Sequence, residues 1–192
     1  MYIDKLEVGF TNMINIGRCA YFVYCDKSGV FITIEEIFEK CQSFHKVVIA
    51  GDEPLLQKEE IAKLCKKLVK VNPRINIEIF TTGNIKPAEI TGYINNTVFN
   101  VLVPPKNNIR YKVDSLLFIW YSEVGSNFIF ETASVEDIDN AITLMNTIGI
   151  KKSQSFINPI SDVKNLNRQV MFYGINLAPK VEWSDENDEY TN

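Results

Sequence analysis

The residues best suited to chemistry lie in the string Gly51-Asp52-Glu53-Pro54-Leu55-Leu56-Gln57. The string follows the wholly apolar segment 47–50 and precedes a helical pattern of apolar residues. A strand-to-helix turn accounts for Gly51, which tolerates unusual backbone angles, and for Pro54, which suits the first turn of a helix. It does not account for Glu53, a carboxylate at the end of the apolar segment. We therefore treat the string as a candidate ligand site.

The four cysteines are the second group with chemical potential. Cys41 and Cys65 fall on the apolar faces of predicted helices, where a free cysteine behaves as a small core residue. Cys19 and Cys25 lie in segment 18–25, whose aromatic and β-branched residues favour a strand. Because they are an even number of residues apart, both face one side of that strand. This pattern favours a buried strand with two incidental cysteines over a new metal site.

Strand patterns alternate with helical patterns along most of the chain. The predicted strands cover residues 5–10, 18–25, 47–50, 75–80, 98–103, 116–121, 127–130 and 155–157. The predicted helices begin at Thr33, near Gln57, at Pro87, at Ser134 and at Asp162. Such alternation is typical of a mainly parallel sheet with right-handed crossovers. The sequence therefore predicts an α/β fold class, with a single domain over residues 1–183 and an acidic, disordered tail over 184–192.

Ligand sites in parallel sheets lie beyond the carboxyl ends of the strands. We expect the loops that follow the strands to share one rim, at Asp26, Gly51, Thr81 and Pro104. Hydroxyl and amide groups on this rim can both donate and accept hydrogen bonds toward a ribose or a base edge, and a lysine can meet a carboxylate or a phosphate. The predicted ligand-binding residues are Gly51, Asp52, Glu53, Pro54, Thr81, Thr82, Asn84 and Lys106.

The string at 51–57 resembles the Gly-Gly-Glu-Pro-Leu-Leu-Gln segment of radical S-adenosylmethionine (SAM) enzymes, above all the 7-carboxy-7-deazaguanine synthase family. Weaker resemblances occur in the family's order along the chain, at Gly17, residues 24–26, 80–84 and 103–106, the helix from Ser134 and residues 158–160. The resemblance implies a partial, open β/α barrel of radical SAM type. It also implies a pocket in which the string holds the amino group of the SAM methionine.

The chain departs from the family at the segment that binds the iron–sulfur cluster, which reads Gly-Cys-x-x-x-Cys-x-x-Cys-Asp in the family. Aligning the last cysteine with Cys25 places Arg18 and Phe22 at the other two positions. A four-iron cluster that activates SAM needs three thiolates, and neither side chain supplies one. The resemblance therefore makes Cys25 a vestigial cluster residue, and Cys19, one residue out of place, a weak candidate.

Two further positions depart from the family. Asp52 replaces a glycine that lets the ligand approach the backbone closely. Lys27 stands where the deazaguanine family has a threonine that binds magnesium, and a lysine is not a magnesium ligand. More of the implied chemistry is missing than present.

We therefore expect a catalytically degenerate relative, a pseudoenzyme with no catalytic residue, no metal and no cofactor, that acts as a binding or regulatory protein. Its expected ligand is a small nucleoside, purine or pterin, and its expected partner is another protein or a second copy of the chain. One alternative is an active 7-carboxy-7-deazaguanine synthase, which converts 6-carboxytetrahydropterin in a queuosine- or archaeosine-type pathway with SAM and an unusual 4Fe–4S cluster. The other is a structural or assembly subunit that binds no ligand.

Charge and hydropathy exclude several classes of function. The net charge of −4 argues against nucleic acid as a partner. No apolar run approaches the roughly 20 residues that cross a bilayer, which argues against a membrane protein. The first residues lack the basic and apolar regions of a signal peptide, and the cysteines lack short paired spacings, so we expect a cytoplasmic protein.

Overall fold

The computed structural model describes residues 1–11, 17–105, 112–160, 170 and 174–177. The strands of these residues are β1 (Tyr2–Phe10), β2 (Cys19–Cys25), β3 (Val30–Phe31), β4 (Lys46–Gly51), β5 (Asn76–Thr81), β6 (Thr97–Val103), β7 (Asn127–Thr132), β8 (Ser155–Pro159) and β9 (Asn176–Leu177). The α-helices are α1 (Ile34–Cys41), α2 (Lys58–Val71), α3 (Ser115–Glu123) and α4 (Val135–Ile148). Short 3₁₀ helices cover Pro54–Gln57, Ala88–Asn96 and Lys152–Gln154.

The strands form one sheet in the order β3-β1-β2-β4-β5-β6-β7-β8-β9. In the described part of the chain β1 is antiparallel to both of its neighbours, and the other pairings are parallel. From β4 to β8 the strands follow one another in chain order, so right-handed crossovers place the connecting helices on one face. The sheet ends at β3 and β9 and does not close on itself. The predicted α/β class with a mainly parallel, open sheet is confirmed.

The face of the sheet that carries the helices forms the hydrophobic core. Strand residues such as Val47, Ile77 and Phe128 are fully buried there against helix residues such as Ile61 and Phe118. Capping boxes fix where two of the predicted helices begin, Thr33 with Glu36 at α1 and Ser134 with Asp137 at α4. Cys41 and Cys65, predicted as core residues, are both fully buried in this core.

The opposite face, which we call the open face, carries the alternate residue of each strand. At the carboxyl end of the sheet it presents partly exposed side chains, among them Tyr24, Phe80, Leu102, Glu131 and Phe156. Phe22 and Tyr24 stack on this face with ring centroids 5.9 Å apart. The helices therefore leave an apolar, aromatic surface beside the rim.

A buried polar chain crosses four strands of the open face. Lys46 Nζ lies 2.6 Å from Glu78 Oε1, and both side chains are almost fully buried. Asn100 donates to Glu78 at 3.4 Å and accepts from Asn127 at 2.8 Å. The chain links β4, β5, β6 and β7, and it satisfies polar groups that would otherwise be costly to bury.

The strand predicted at 116–121 is wrong, because these residues belong to helix α3. Asp114 caps the helix by accepting hydrogen bonds from the backbone N–H groups of Leu116 and Leu117. The segment is apolar on all sides, so its periodicity does not distinguish a strand from a buried helix. The packing distinguishes the two, because Phe118 and Tyr121 on one side of the helix are fully buried while Leu116 is 79% exposed.

Other predictions differ in smaller ways. The strand predicted from residue 5 begins earlier, at Tyr2, and the helix predicted at Pro87 is a 3₁₀ helix over Ala88–Asn96. The helix predicted from Asp162 and the tail at 184–192 lie outside the described residues. None of the described helices is long and apolar enough to cross a membrane.

Candidate functional site

Gly51 occupies a position that no other residue fits. It ends β4 beside Cys25 of β2, and its φ is 127°. A Cβ atom at Gly51 would lie 2.0 Å from the carbonyl oxygen of Cys25, which is closer than any real contact. The glycine is therefore required by the close approach of two backbones and by a conformation that L-residues rarely adopt.

Glu53 follows Gly51 by two residues, and its half-buried carboxylate is already engaged by groups of its own chain. Oε1 accepts from the backbone N–H of Leu55 at 3.2 Å and from the Thr81 hydroxyl at 2.9 Å. Oε2 accepts from the backbone N–H of Thr82 at 2.9 Å and from its hydroxyl at 2.5 Å. These charge-assisted hydrogen bonds join the carboxyl ends of β4 and β5.

The last residue of the string, Gln57, joins the rim to β1. Its Oε1 accepts from the backbone N–H of Tyr2 at 2.6 Å, and its Nε2 donates to the backbone oxygen of Tyr2 at 2.9 Å. With Glu53 at one end and Gln57 at the other, the string ties the start of β1 to the end of β5. The string thus has a structural role in addition to any role in binding.

Helix α3 supports the loop that follows β5. The hydroxyl of Tyr121 donates to the backbone oxygen of Ile85 at 2.6 Å, and burial raises the pKa of Tyr121 well above its usual range. A Cβ atom at Gly83 would lie 2.8 Å from the ring of Phe118, and Gly83 has a φ of 79°. Helix α3, which was predicted as a strand, therefore supports the loop after β5 at the rim.

The structure brings most of the predicted ligand residues together. The hydrogen bonds of Glu53 join the string residues 51–54 to Thr81 and Thr82. Asp52 is exposed and Pro54 is buried, whereas Thr81 is only 1% exposed. Asn84 is exposed and lines an open depression with Lys112 and Asp114, and it takes no part in the hydrogen bonds of Glu53. Lys106 lies outside the described residues.

A cavity of about 340 Å³ lies on the helix side of the sheet. It is lined by Pro104 and Pro105 from the end of β6 and by Ala141 and Leu144 of α4. None of the residues from 51 to 57 lines it, so this space is separate from the string, although Pro104 of the predicted rim and Glu131 of β7 border it. We place the candidate site at the rim because the polar groups converge there.

All four cysteines lie within the described residues, which allows the sulfur donors to be compared with the needs of a cluster. Cys19 is exposed and Cys25 is buried, at opposite ends of β2, so strand geometry separates them by about 20 Å. Burial also raises the pKa of Cys25 to about 12, which disfavours the thiolate. Among the described residues, no three or more His, Cys, Asp or Glu side chains converge as metal ligands. The donor set does not fit a four-iron cluster.

Sequence patterns missed two polar side chains at the carboxyl end of the open face. Glu131 is half-buried near the end of β7, and burial raises its pKa above the usual range for a glutamate. Asn158 is its neighbour on β8 and is 6% exposed. The available signal was a charged or amide residue near the end of an apolar strand pattern, on the rim where ligand sites occur.

No family model matches the chain. Part of it is similar to 7-carboxy-7-deazaguanine synthase of Methanospirillum hungatei JF-1, with 36% identity over 69 residues, a match that covers 32% of this chain and 29% of the relative. The match thus spans under a third of the relative's length. A crystal structure of Streptococcus suis SuiB bound to S-adenosylmethionine aligns with a TM-score of 0.49 and 15% identity, over 71% of this chain and 38% of that chain. The sequence match supports the radical SAM-like relationship that the string at 51–57 predicts.

Proposed function

We propose that the chain is a radical SAM-like binding protein that lacks the iron–sulfur cluster and holds a small planar heterocycle, a purine, pterin or nucleoside, at the rim. The observation that carries this proposal is the placement of the sulfur atoms. One thiol lies at each end of β2, and the other two are buried in α1 and α2. A protein with too few converging thiolates cannot hold the cluster that cleaves SAM reductively.

The engagement of Glu53 supports the same proposal. In the family that the string resembles, this carboxylate receives the amino group of SAM. Here the two carboxylate oxygens accept hydrogen bonds from Leu55, Thr81 and Thr82. An incoming amino group would have to compete with these bonds, so SAM should bind weakly. We assign the predicted ligand contacts at the rim to its exposed groups, above all Asp52 and Asn84.

The open face supports a planar ligand. Tyr24, Phe80 and Phe156 are partly exposed near the carboxyl end of the sheet, with Leu102 on a strand between them. Partly exposed aromatic rings favour stacking and edge-to-face contacts with another ring, and burial of that ring adds a hydrophobic gain. A purine or a pterin offers the ring and, at its edges, groups for the polar residues of the rim.

A thermal-shift series tests binding. The protein is heated with SAM, S-adenosylhomocysteine, guanosine, adenosine and a pterin in separate samples. A ligand at a hundredfold excess over its Kd stabilises the fold by about 2.7 kcal/mol, so a heterocycle that binds should raise Tm by several degrees. Phe80→Ala should weaken the shift. Leu116→Ala, which removes a 79% exposed side chain on the helix side, is the matched control and should leave the ligand-induced shift in Tm unchanged.

Two results would contradict the proposal. Absence of a shift with every heterocycle would remove the binding role and favour a structural or assembly subunit. A stable cluster chromophore after anaerobic reconstitution, together with cleavage of SAM, would remove the degenerate assignment.

The second candidate is the activity named for the curated relative, 7-carboxy-7-deazaguanine synthase. It requires Cys25 to become a cluster ligand with groups that do not converge on it in this structure. Turnover of 6-carboxytetrahydropterin by the reconstituted wild type, and its loss in Cys25→Ala, would establish this candidate. No turnover in the wild type would exclude it.

A further inference from the structure

Among the residues that the structure describes, Glu131 is a carboxylate without a hydrogen-bond or ion-pair partner. It lies one residue before the end of β7, on the open face, with its side chain half-buried. Within the described ranges it makes neither a side-chain hydrogen bond nor an ion pair, and burial is what raises its pKa. A half-buried carboxylate without a donor is costly, so its position calls for an explanation.

Asn158 lies directly beside Glu131. The two residues are paired in the parallel register of β7 and β8, so their side chains leave the same face from backbones about 5 Å apart. Asn158 is only 6% exposed, yet its amide has no hydrogen-bond partner among the residues that the structure describes. Two adjacent polar side chains at the carboxyl end of the sheet thus both lack a hydrogen-bond partner among the described residues.

The described neighbours of the pair along the open face are apolar, although Glu131 also borders the cavity beside α4. Phe156 precedes Asn158 by two residues on the same face, and Ile129 precedes Glu131 in the same way. Leu102 of β6 is paired with Ile129, which places it next in the row. Such neighbours lower the local dielectric, which strengthens any hydrogen bond that a ligand makes to the carboxylate or the amide.

We infer that Glu131 and Asn158 form a recognition subsite for the edge of a planar ligand that presents two neighbouring N–H donors, an inference that rests on the proposed binding function. The carboxylate of Glu131 can accept two parallel N–H hydrogen bonds. The amide oxygen of Asn158 can accept one more hydrogen bond, and its NH₂ group can donate. An edge with two donors satisfies Glu131, whereas an edge of acceptors leaves it unpaired and an anion is repelled. The subsite therefore selects amidine-like or amino-lactam edges.

Three planar probes of nearly equal size test this selection by isothermal titration at neutral pH. Benzamidine presents two N–H groups on one edge, benzamide presents one N–H group beside an acceptor, and benzoate presents two acceptors. Benzamidine should bind at least tenfold more tightly than benzamide, and benzoate should not bind. Equal affinities of benzamidine and benzamide, or no binding of benzamidine at millimolar concentration, would overturn the inference.

Variants assign the selection to the pair. Glu131→Gln keeps the shape and removes the charge, so benzamidine should lose its tenfold advantage. Glu131→Asp moves the carboxylate back by one methylene and should lose part of the affinity advantage of benzamidine. Asn158→Ala should lower the affinities of both benzamidine and benzamide. Glu136→Gln, an exposed residue in the first turn of α4, is the control and should leave the affinities unchanged.

The outcomes separate this inference from the proposed function. If purines or pterins stabilise the protein but Glu131→Gln leaves the affinities of the probes unchanged, the subsite is wrong and the binding function stands. If benzamidine binds through Glu131 but no heterocycle shifts Tm, the subsite stands and the proposed ligand class is wrong.

Discussion

Phe22 and Cys25 lie on opposite faces of the same strand. The side chain of Cys25 is 3% exposed in the core beneath the helices, whereas Phe22 stacks on Tyr24 at the open face. Residues three apart on a strand diverge in this way because the side-chain period is two. Side chains that diverge in this way cannot ligate one metal centre together while β2 stays extended.

Cysteines introduced at the two family positions should therefore not create a cluster. We expect Arg18→Cys/Phe22→Cys to yield no stable iron–sulfur chromophore after anaerobic reconstitution, because the new thiol at position 22 cannot meet Cys25 without unravelling β2. The measurement is iron and sulfide content with the visible absorption spectrum, and Arg18→Ser/Phe22→Ser is the control for damage to the fold. Stoichiometric iron in the cysteine variant, absent from the serine variant, would show that the strand rearranges.

Gln57 gives a prediction about the structural role of the string. Gln57→Leu removes both hydrogen bonds to the Tyr2 backbone and should lower the free energy of unfolding by about 1–2 kcal/mol in urea denaturation. Gln57→Glu keeps an acceptor for the Tyr2 N–H but loses the donor, so its loss should be intermediate. Gln42→Leu at the exposed end of α1 is the control, and an equal cost there would contradict a specific link to β1.

The parts of the fold that sequence predicts well are those with local causes. The Thr33 and Ser134 caps, the apolar strand before Gly51 and the core positions of Cys41 and Cys65 each follow from neighbours in the chain. The strand prediction for segment 116–121 is wrong because an all-apolar run has no periodicity. Asp114 before it was a usable helix-capping signal.

The candidate site is less predictable because its contacts are not local. The string at 51–57 is recognisable, but the occupation of Glu53 depends on Thr81 and Thr82, which come from the next strand of the sheet. The pairing of Glu131 with Asn158 depends on the register between β7 and β8. A shift of one residue would send one of them to the other face, and residue patterns do not fix that register.

The buried pair of Lys46 and Glu78 should be sensitive to the loss of one partner. Lys46→Met leaves the buried Glu78 side chain without its ion-pair partner, with Asn100 at 3.4 Å as a remaining donor, and should cost about 3–5 kcal/mol in urea denaturation. Lys46→Met/Glu78→Gln removes both charges and should recover much of that loss. Lys58→Met breaks the partly exposed pair with Glu89 and should cost under about 1 kcal/mol. Similar costs for the two single variants would show that burial does not matter here.

Glu131 predicts how stability depends on pH. Burial raises its pKa in the folded state above the unfolded value, so between these two values the folded chain binds more protons than the unfolded chain. The free energy of unfolding contributed by this group therefore falls as pH rises through that interval, and the cost is complete above the folded pKa. Glu131→Gln carries no charge and escapes this cost.

We therefore expect Glu131→Gln to melt higher than the wild type at neutral pH. Solvent screens a half-exposed group, so the gain should be small, on the order of 1–3 °C for a chain of this size. The gap should close as pH is lowered through the folded pKa and past the usual range of a glutamate, because the wild-type carboxyl then becomes neutral as well. Melting curves from neutral pH downward measure it, with the exposed Glu136→Gln as the control. A gap that widens as the pH falls would mean that a donor already holds the Glu131 carboxylate, and the recognition subsite would lose its basis.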